Sequence, residues 1–235
     1  ALWSATGRAV DLRIEDTRLS RYVVSNGLVD ARMDQTQRVL DDVLSRADDV
    51  LQALTALPPS STAVSALVIE ARDALDNLLA HLNTSDGRVF LFGGVNAGER
   101  PLADYDAAPA AAVDAALTAA FGAGTVPPGA TPAQMATFLA GDFANVFSPA
   151  GWAGAWSAAA DRPLDAEIER GRVVDASVSA NREAFRELAM GYTMLADLDL
   201  ETIRSDTRQV VIDTALETLG DAVADVVALK AELGL

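Results

Sequence analysis

Apolar residues recur with a 3-4 spacing near both ends of the chain, which is the period of long helices in a coiled-coil-like bundle. No proline interrupts the first such segment, residues 8–57. Its apolar positions are Leu12, Leu19, Tyr22, Val29, Met33, Leu40, Val43, Val50, Leu54 and Leu57. A helix over this segment would be about 75 Å long, or about 45 Å if Gly27 broke it. Either length exceeds what a compact globular core needs.

The last segment of the chain shows the same repeat, and a helix is predicted over residues 206–233. Its apolar positions are Ile212, Ala215, Leu219, Ala222, Val226, Leu229 and Leu233. Because the two segments carry matching apolar seams, we expect the first and last helices to lie side by side. The seam residues predicted to hold this bundle together are Leu40, Val43, Leu54, Leu219 and Val226.

A second helix is predicted over residues 63–82, directly after the break that Pro58 and Pro59 impose on the first helix. The connection is short, so the two helices should form an antiparallel hairpin. Residues 83–87 carry a turn signal. Residues 88–92 are then predicted as a short strand that Gly93 and Gly94 close.

Residues 97–164 differ from both ends, because they hold most of the prolines, are rich in alanine and lack the 3-4 repeat. Two short helices are predicted here, over residues 107–121 and 131–147, with Thr131 as the cap of the second and Pro132 at its first position. A β-hairpin is predicted within residues 168–178, and helical spacing resumes through residues 185–195.

These elements predict a mainly α fold. It consists of a rod-like bundle of long antiparallel helices, a short β-hairpin and a small inserted domain that is α-rich or α+β. The rod domain is predicted to be discontinuous, with residues 1–96 and 165–235. The inserted outer domain comprises residues 97–164.

Composition and net charge argue against several classes of function and of binding site. The 235 residues include 34 acidic and 18 basic side chains, which gives a net charge of −16. This balance argues against binding to nucleic acid or to an anionic membrane surface. The chain has no cysteine and a single histidine, His81. Disulfides, cysteine-built metal sites and sites with several histidines are therefore excluded.

None of the short sequence motifs is specific enough to indicate a catalytic or ligand-binding site. Gly93 and Gly98 have the spacing of a phosphate-binding loop, but Glu99 and Arg100 follow where Lys and Ser or Thr would be needed. The acidic pairs of the chain lack the pattern of a calcium loop. Trp152 and Trp156 could form a sugar-stacking platform or pack in the core of the inserted domain. We therefore predict no enzymatic activity, no cofactor and no metal.

Residues 79–94, from Leu79 to Gly94, resemble a motif of the bacterial flagellin family. In that family the second long helix ends in Leu-Asn, and a Gly-Arg/Lys-Tyr-Xaa-Phe-Ser/Ala-Gly segment then opens a hairpin. The residues that carry the resemblance are Gly87, Arg88, Phe90, Phe92 and Gly93. Residues 229–234 are similar to the family's Arg-Ala-Xaa-Leu/Ile-Gly signature in its last rod-domain helix.

The resemblance implies a structural, polymer-forming protein of the bacterial flagellum. Members are exported unfolded by the flagellar type III apparatus without a cleaved signal, so the expected location is extracellular. The implied partners are other flagellar axial proteins and copies of itself in a helical ring. By comparison with the family, we expect the terminal segment that binds an export chaperone and the terminal assembly helices to be missing from this chain. We therefore expect this chain to be monomeric in solution.

Three features favour the hook-filament junction protein of this family over a filament subunit with a reduced outer domain, and the first is the hairpin segment of residues 87–94. Pro101 follows the hairpin motif, and residues 162–174 resemble the junction protein's return into the rod. A glycan-binding surface module is the alternative outside the family.

Flagellins are sensed by an innate immune receptor through a segment like Leu-Gln-Arg-Val-Arg-Glu-Leu, which residues 44–50 match most nearly. Arg46 fits this segment, whereas Asp48 replaces the second arginine. Reversing a charge at a contact brings like charges together, so we expect weak or absent receptor activation.

Overall fold

Long helices make up most of the fold, which is mainly α with one short antiparallel β-hairpin, and this confirms the predicted fold class. The computed structural model describes residues 2–58, 60–87 and 89–234, with the side chains of residue 10 and of residues from 12 onward. The elements are α1 (Leu2–Thr55), α2 (Ser61–Leu82), α3 (Ala108–Phe121), α4 (Pro132–Phe138), α5 (Ala144–Phe147), α6 (Pro149–Ala155), β1 (Asp165–Glu169), β2 (Arg172–Asp175), α7 (Glu183–Asp197) and α8 (Ser205–Glu232).

The helices α1, α2, α7 and α8 form an up-and-down bundle. Short connections make α1 and α2, and likewise α7 and α8, antiparallel. Arg72 in the middle of α2 lies against Ala196 at the end of α7, and His81 at the end of α2 lines a small cavity with Tyr192, which precedes Ala196. This pair is therefore antiparallel too, and α8 returns beside α1. The ion pairs that mark the four contacts are Arg46–Glu70 (α1–α2), Arg72–Asp197 (α2–α7), Arg182–Glu232 (α7–α8) and Lys230–Asp41 (α8–α1).

The predicted seam residues occupy the interior of this bundle. Leu40, Leu219 and Val226 are fully buried, and Val43 and Leu54 are nearly so. Burial of each such side chain contributes roughly 1.5–3 kcal/mol. The helices approach closely at Gly191, where an added Cβ would lie 2.6 Å from the Leu219 side chain. The first and last long helices therefore share one seam where they overlap, as expected from the repeat.

The N-terminal half of α1 extends beyond the bundle. The helix is continuous over 54 residues, so Gly27 does not break it. Lys230, in the last turn of α8, forms an ion pair with Asp41 of α1. The residues of α1 that precede Asp41 therefore extend beyond the end of α8. Leu12 and Leu19, which belong to the apolar repeat, are 65% and 55% exposed. The repeat predicts a seam over all of α1, but α8 covers only its C-terminal part.

Residues 89–92 do not form the strand that was predicted over residues 88–92. Arg88 lies outside the described residues, and the rest of the segment makes turns and isolated bridges, Ser85 with Phe90 and Gly93 with Ser179. Leu91 and Phe92 are both buried, whereas a strand exposed on one face would bury alternate residues. The apolar run reflects a buried loop. The antiparallel hairpin of the fold is β1–β2, near the second predicted position, and Gly171 with φ +76° supplies its turn.

Residues 97–164 form α3 to α6, which lie against α7 and α8. Thr131 caps α4 through a capping box with Gln134, and Pro132 takes the first helical position, as predicted. A π-helical turn, Leu139–Phe143, continues α4 into α5. Thr207 Oγ1 donates to the Ala130 carbonyl at 2.6 Å, and the apolar core runs without a gap into that of the bundle. The division into rod and inserted domain stays a prediction.

Candidate functional site

The projecting half of α1 carries seven of the twelve large apolar side chains that are exposed among the described residues. We call the surface that they form the overhang surface, and it comprises Val10, Leu12, Ile14, Leu19, Val23, Val24 and Leu28, each at least 50% exposed. At about 100° per residue, they fall in two rows on opposite sides of the helix. Exposed apolar patches of this kind mark surfaces that bind another protein.

The β-hairpin supports the base of the overhang surface. Tyr22 donates from its hydroxyl to the Glu167 carboxylate at 3.4 Å, and the Asn26 side-chain amide donates to the Ile168 carbonyl at 3.1 Å. Tyr22 belongs to the apolar repeat of α1 and Asn26 interrupts it, and at both positions a strand, and not a helix, lies alongside. The hairpin thus holds α1 at the point where it leaves the bundle.

Of the hairpin-motif residues, Phe90, Phe92 and Gly93 lie in a loop between α1 and α7, and Phe92 and Gly93 are buried there. Phe92 packs edge-on against Phe185 with ring centroids 5.8 Å apart, and the Phe90 amide donates to the Ala97 carbonyl at 2.7 Å. Gly87 is exposed with φ +86°, whereas Gly93 is buried. The loop therefore has a structural role in joining the bundle to the segment that follows it.

Gly93 and Gly94 lie where the chain leaving the bundle crosses the chain returning to it. The Ala160 amide donates to the Gly93 carbonyl, and the Val95 amide donates to the Arg162 carbonyl, each at 3.0 Å. Gly94 has φ +59°, and an added Cβ there would lie 2.6 Å from the Arg162 oxygen. Only a residue without a Cβ fits this crossing. The crossing explains Gly93 and Gly94, whereas Gly98, the second glycine of the GxxxxG spacing, has open space around it.

Arg32 connects α1 to the same loop and was not identified from the sequence. Its guanidinium donates to the Phe90 carbonyl at 2.8 Å and to the Leu91 carbonyl at 3.3 Å. Burial lowers the pKa of Arg32 from its ordinary value, with an opposing effect of Asp86. In the sequence, an arginine among the acidic residues of a helix is expected to be exposed to solvent. Nothing in the sequence therefore indicated that Arg32 contacts the loop.

Tyr105 and Arg72 meet at Asp197 and join three parts of the fold. The Tyr105 hydroxyl donates to one carboxylate oxygen of Asp197, and Arg72 donates to the other. Burial, followed by the charge of Asp197, raises the pKa of Tyr105 far above its ordinary value. The tyrosine therefore remains a hydrogen-bond donor at physiological pH and joins the inserted segment to α2 and α7.

Arg46 lies on α1 and contacts α2. It donates to the Glu70 carbonyl at 3.1 Å, and its guanidinium is 3.5 Å from the Glu70 carboxylate. Asp48, two residues further along, is exposed. The segment that matches the receptor-binding pattern thus presents a carboxylate, while its arginine is engaged within the bundle.

Trp152 and Trp156 are core residues, so the sugar-stacking platform considered from the sequence is wrong. Their rings stack with centroids 4.9 Å apart and an interplanar angle of 11°, and each residue is 1% exposed. Phe147 and Tyr105 pack against Trp156 with centroid separations of 5.2 and 5.7 Å. No face of either indole is open to a sugar.

The buried positions of Trp152 and Trp156 predict weak quenching of their fluorescence. In a Trp3→Phe background, which leaves these two indoles, we expect blue-shifted emission that iodide hardly quenches and that simple sugars do not change. Steady-state fluorescence titration measures both effects, with free tryptophan as the exposed reference. Quenching close to that of the reference would contradict the burial.

Within ranges 2–58, 60–87 and 89–234, no group of three or more His, Asp or Glu side chains is arranged to hold a metal ion. No helix in these ranges combines the length and apolarity needed to cross a bilayer.

Comparisons with protein-family models, curated proteins and solved structures found no match to this chain.

Proposed function

We propose that this protein is a structural component of the bacterial flagellum and that it joins the hook to the filament. The observation that carries the proposal is the long α1 helix, whose projecting half exposes the overhang surface. A subunit that assembles end to end needs such a surface to bury against a neighbouring axial protein. The role is mechanical, and no catalytic residue is assigned.

Two further features support the proposal. Residues 79–82 end α2 and residues 229–232 end α8, so parts of both segments on which the resemblance rests belong to helices of the bundle. The acidic surface, with a net charge of −16, limits lateral aggregation of subunits before assembly. The implied partners are hook and filament proteins and further copies of this chain, outside the cell.

Deletion of the gene in the producing bacterium tests the function. For a junction protein, we expect hooks without filaments and filament protein released into the medium, because the filament has nothing to attach to. A strain with hooks that releases no filament protein would instead indicate a filament subunit. Normal flagella in the deletion strain would contradict both assignments. Complementation with the unmodified gene is the control.

We also expect this protein to activate the flagellin receptor weakly or not at all. The reason is the charge reversal at Asp48, which is exposed beside Arg46. A reporter-cell assay measures the response, and Asp48→Arg should increase it because the second positive charge of the pattern returns. Strong signalling by the unmodified protein would refute the expectation.

A further inference from the structure

Four carboxylates lie near one another where the first half of α7 faces the second half of α8, with Glu183, Asp221 and Asp225 exposed to solvent. Glu183 and Glu187 are one turn apart on α7, and Asp221 and Asp225 are one turn apart on α8. The other three carboxylates all act on Glu187 electrostatically. Like charges one turn apart on a helix, or facing each other across two helices, repel.

Glu187 is the centre of this group. Its side chain is half-buried, and its Oε2 atom is buried without a hydrogen-bond partner. Burial is the largest cause that raises the pKa of Glu187, followed by the charges of Asp225, Glu183 and Asp221. The geometry therefore disfavours the charged carboxylate at this position.

The two arginines near Glu187, Arg186 and Arg182, form their hydrogen bonds and ion pairs with groups outside the four carboxylates. Arg186 opposes the shift of Glu187, but its guanidinium donates to the Phe147 carbonyl at 2.8 Å and to the Asn181 carbonyl at 3.3 Å. Arg182 forms an ion pair with Glu232 at the end of α8. The carboxylates thus face one another without a dedicated cation.

The two helices are in close contact on one side of the carboxylates and border an open cleft on the other. Gly191 lies one turn after Glu187 and contacts Leu219 so closely that no Cβ would fit. Towards the end of α8, a cleft of about 180 Å³ opens between the helices, and Glu183 and Asp225 line it together with Ala184, Ala228 and Leu229. The close contact keeps the carboxylates of the two helices near each other, and at the cleft the exposed Arg182–Glu232 ion pair joins the helix ends.

We propose that the contact between α7 and α8 contains an acid-tightened latch, formed by Glu183, Glu187, Asp221 and Asp225. Repulsion among these carboxylates loosens the contact at neutral pH, and the contact tightens when Glu187 takes up a proton. The folded state binds this proton more tightly than the unfolded chain does. Stability from this group is therefore lost as the pH rises from the ordinary range of a glutamate through the raised pKa of Glu187. The proposal does not depend on the flagellar assignment.

Glu187→Gln tests the latch, because it removes the charge and keeps the shape. We expect the variant to melt on the order of 2–4 °C higher than the unmodified protein at about pH 7.5. The difference should shrink at about pH 5, which is still above the isoelectric point near 4.3. Glu217→Gln, an exposed position on α8, is the control and should leave the melting temperature unchanged at both pH values.

Hydrogen exchange locates the effect. After correction for intrinsic rates, amides of residues 183–190 and 221–232 should exchange more slowly at pH 5 than at pH 7.5 in the unmodified protein. In Glu187→Gln they should exchange slowly at both. Equal melting temperatures of Glu187→Gln and the unmodified protein at both pH values, with no pH effect on these amides, would overturn the latch.

Discussion

Leu219→Asp is expected to unfold the bundle or to leave it barely stable. Leu219 is fully buried on α8 and packs against Gly191 of α7, so a carboxylate there would have no water and no cation. Losing the buried leucine and burying an unpaired charge together should lower the free energy of unfolding by about 5 kcal/mol or more. That loss approaches the whole stability of many domains.

Leu216→Asp is the matched control for this substitution. Leu216 lies one turn before Leu219 on the same helix and is 38% exposed, so its carboxylate would remain hydrated. Urea titration followed by circular dichroism should give a small change for Leu216→Asp and loss of the transition for Leu219→Asp. Equal midpoints for the two variants would contradict the seam position of Leu219.

Gly94→Ala is expected to cause the second-largest loss. A left-handed backbone disfavours alanine, and the added Cβ would collide with the backbone oxygens of Ala160 and Arg162. Because backbone cannot move aside as a side chain can, the crossing of the outgoing and returning chains must open. We expect the free energy of unfolding to fall by roughly 3–4 kcal/mol.

Gly98→Ala distinguishes this steric effect from a general effect of losing a glycine. No atom lies within 4 Å of a Cβ built at Gly98, and its φ is not positive. Its unfolding midpoint should therefore stay within error of the unmodified protein, while that of Gly94→Ala shifts strongly. Similar midpoints for the two variants would show that the crossing tolerates a side chain.

The sequence predicted the long helices well because their signals are local and repeated. The 3-4 spacing of α8 matches its buried face from Ile212 to Leu229, and Thr131 with Pro132 marked the start of α4. These features depend on periodicity and capping, which neighbouring residues determine. The tryptophans were considered both as core and as a sugar platform, and only the tertiary packing decides between these.

Other features depend on contacts between distant segments. Leu12 and Leu19 continue the seam of α1 in sequence, but whether they are covered depends on where α8 ends in space. Residues 88–92 have the composition of a strand, yet Phe92 is buried by Phe185, ninety-three residues later in the chain. Arg32, Tyr105 and Glu187 were not identified, because each acquires its role from a partner far away in the sequence or on another helix.

Immunogold electron microscopy of the producing bacterium tests the proposed function most directly, using antibody raised against this chain. The hook-filament assignment predicts gold confined to a band between hook and filament. Labelling along the whole filament would instead make the protein a filament subunit. Absence of label from the flagella, with the same antibody detecting the protein elsewhere on the cell, would contradict the flagellar assignment.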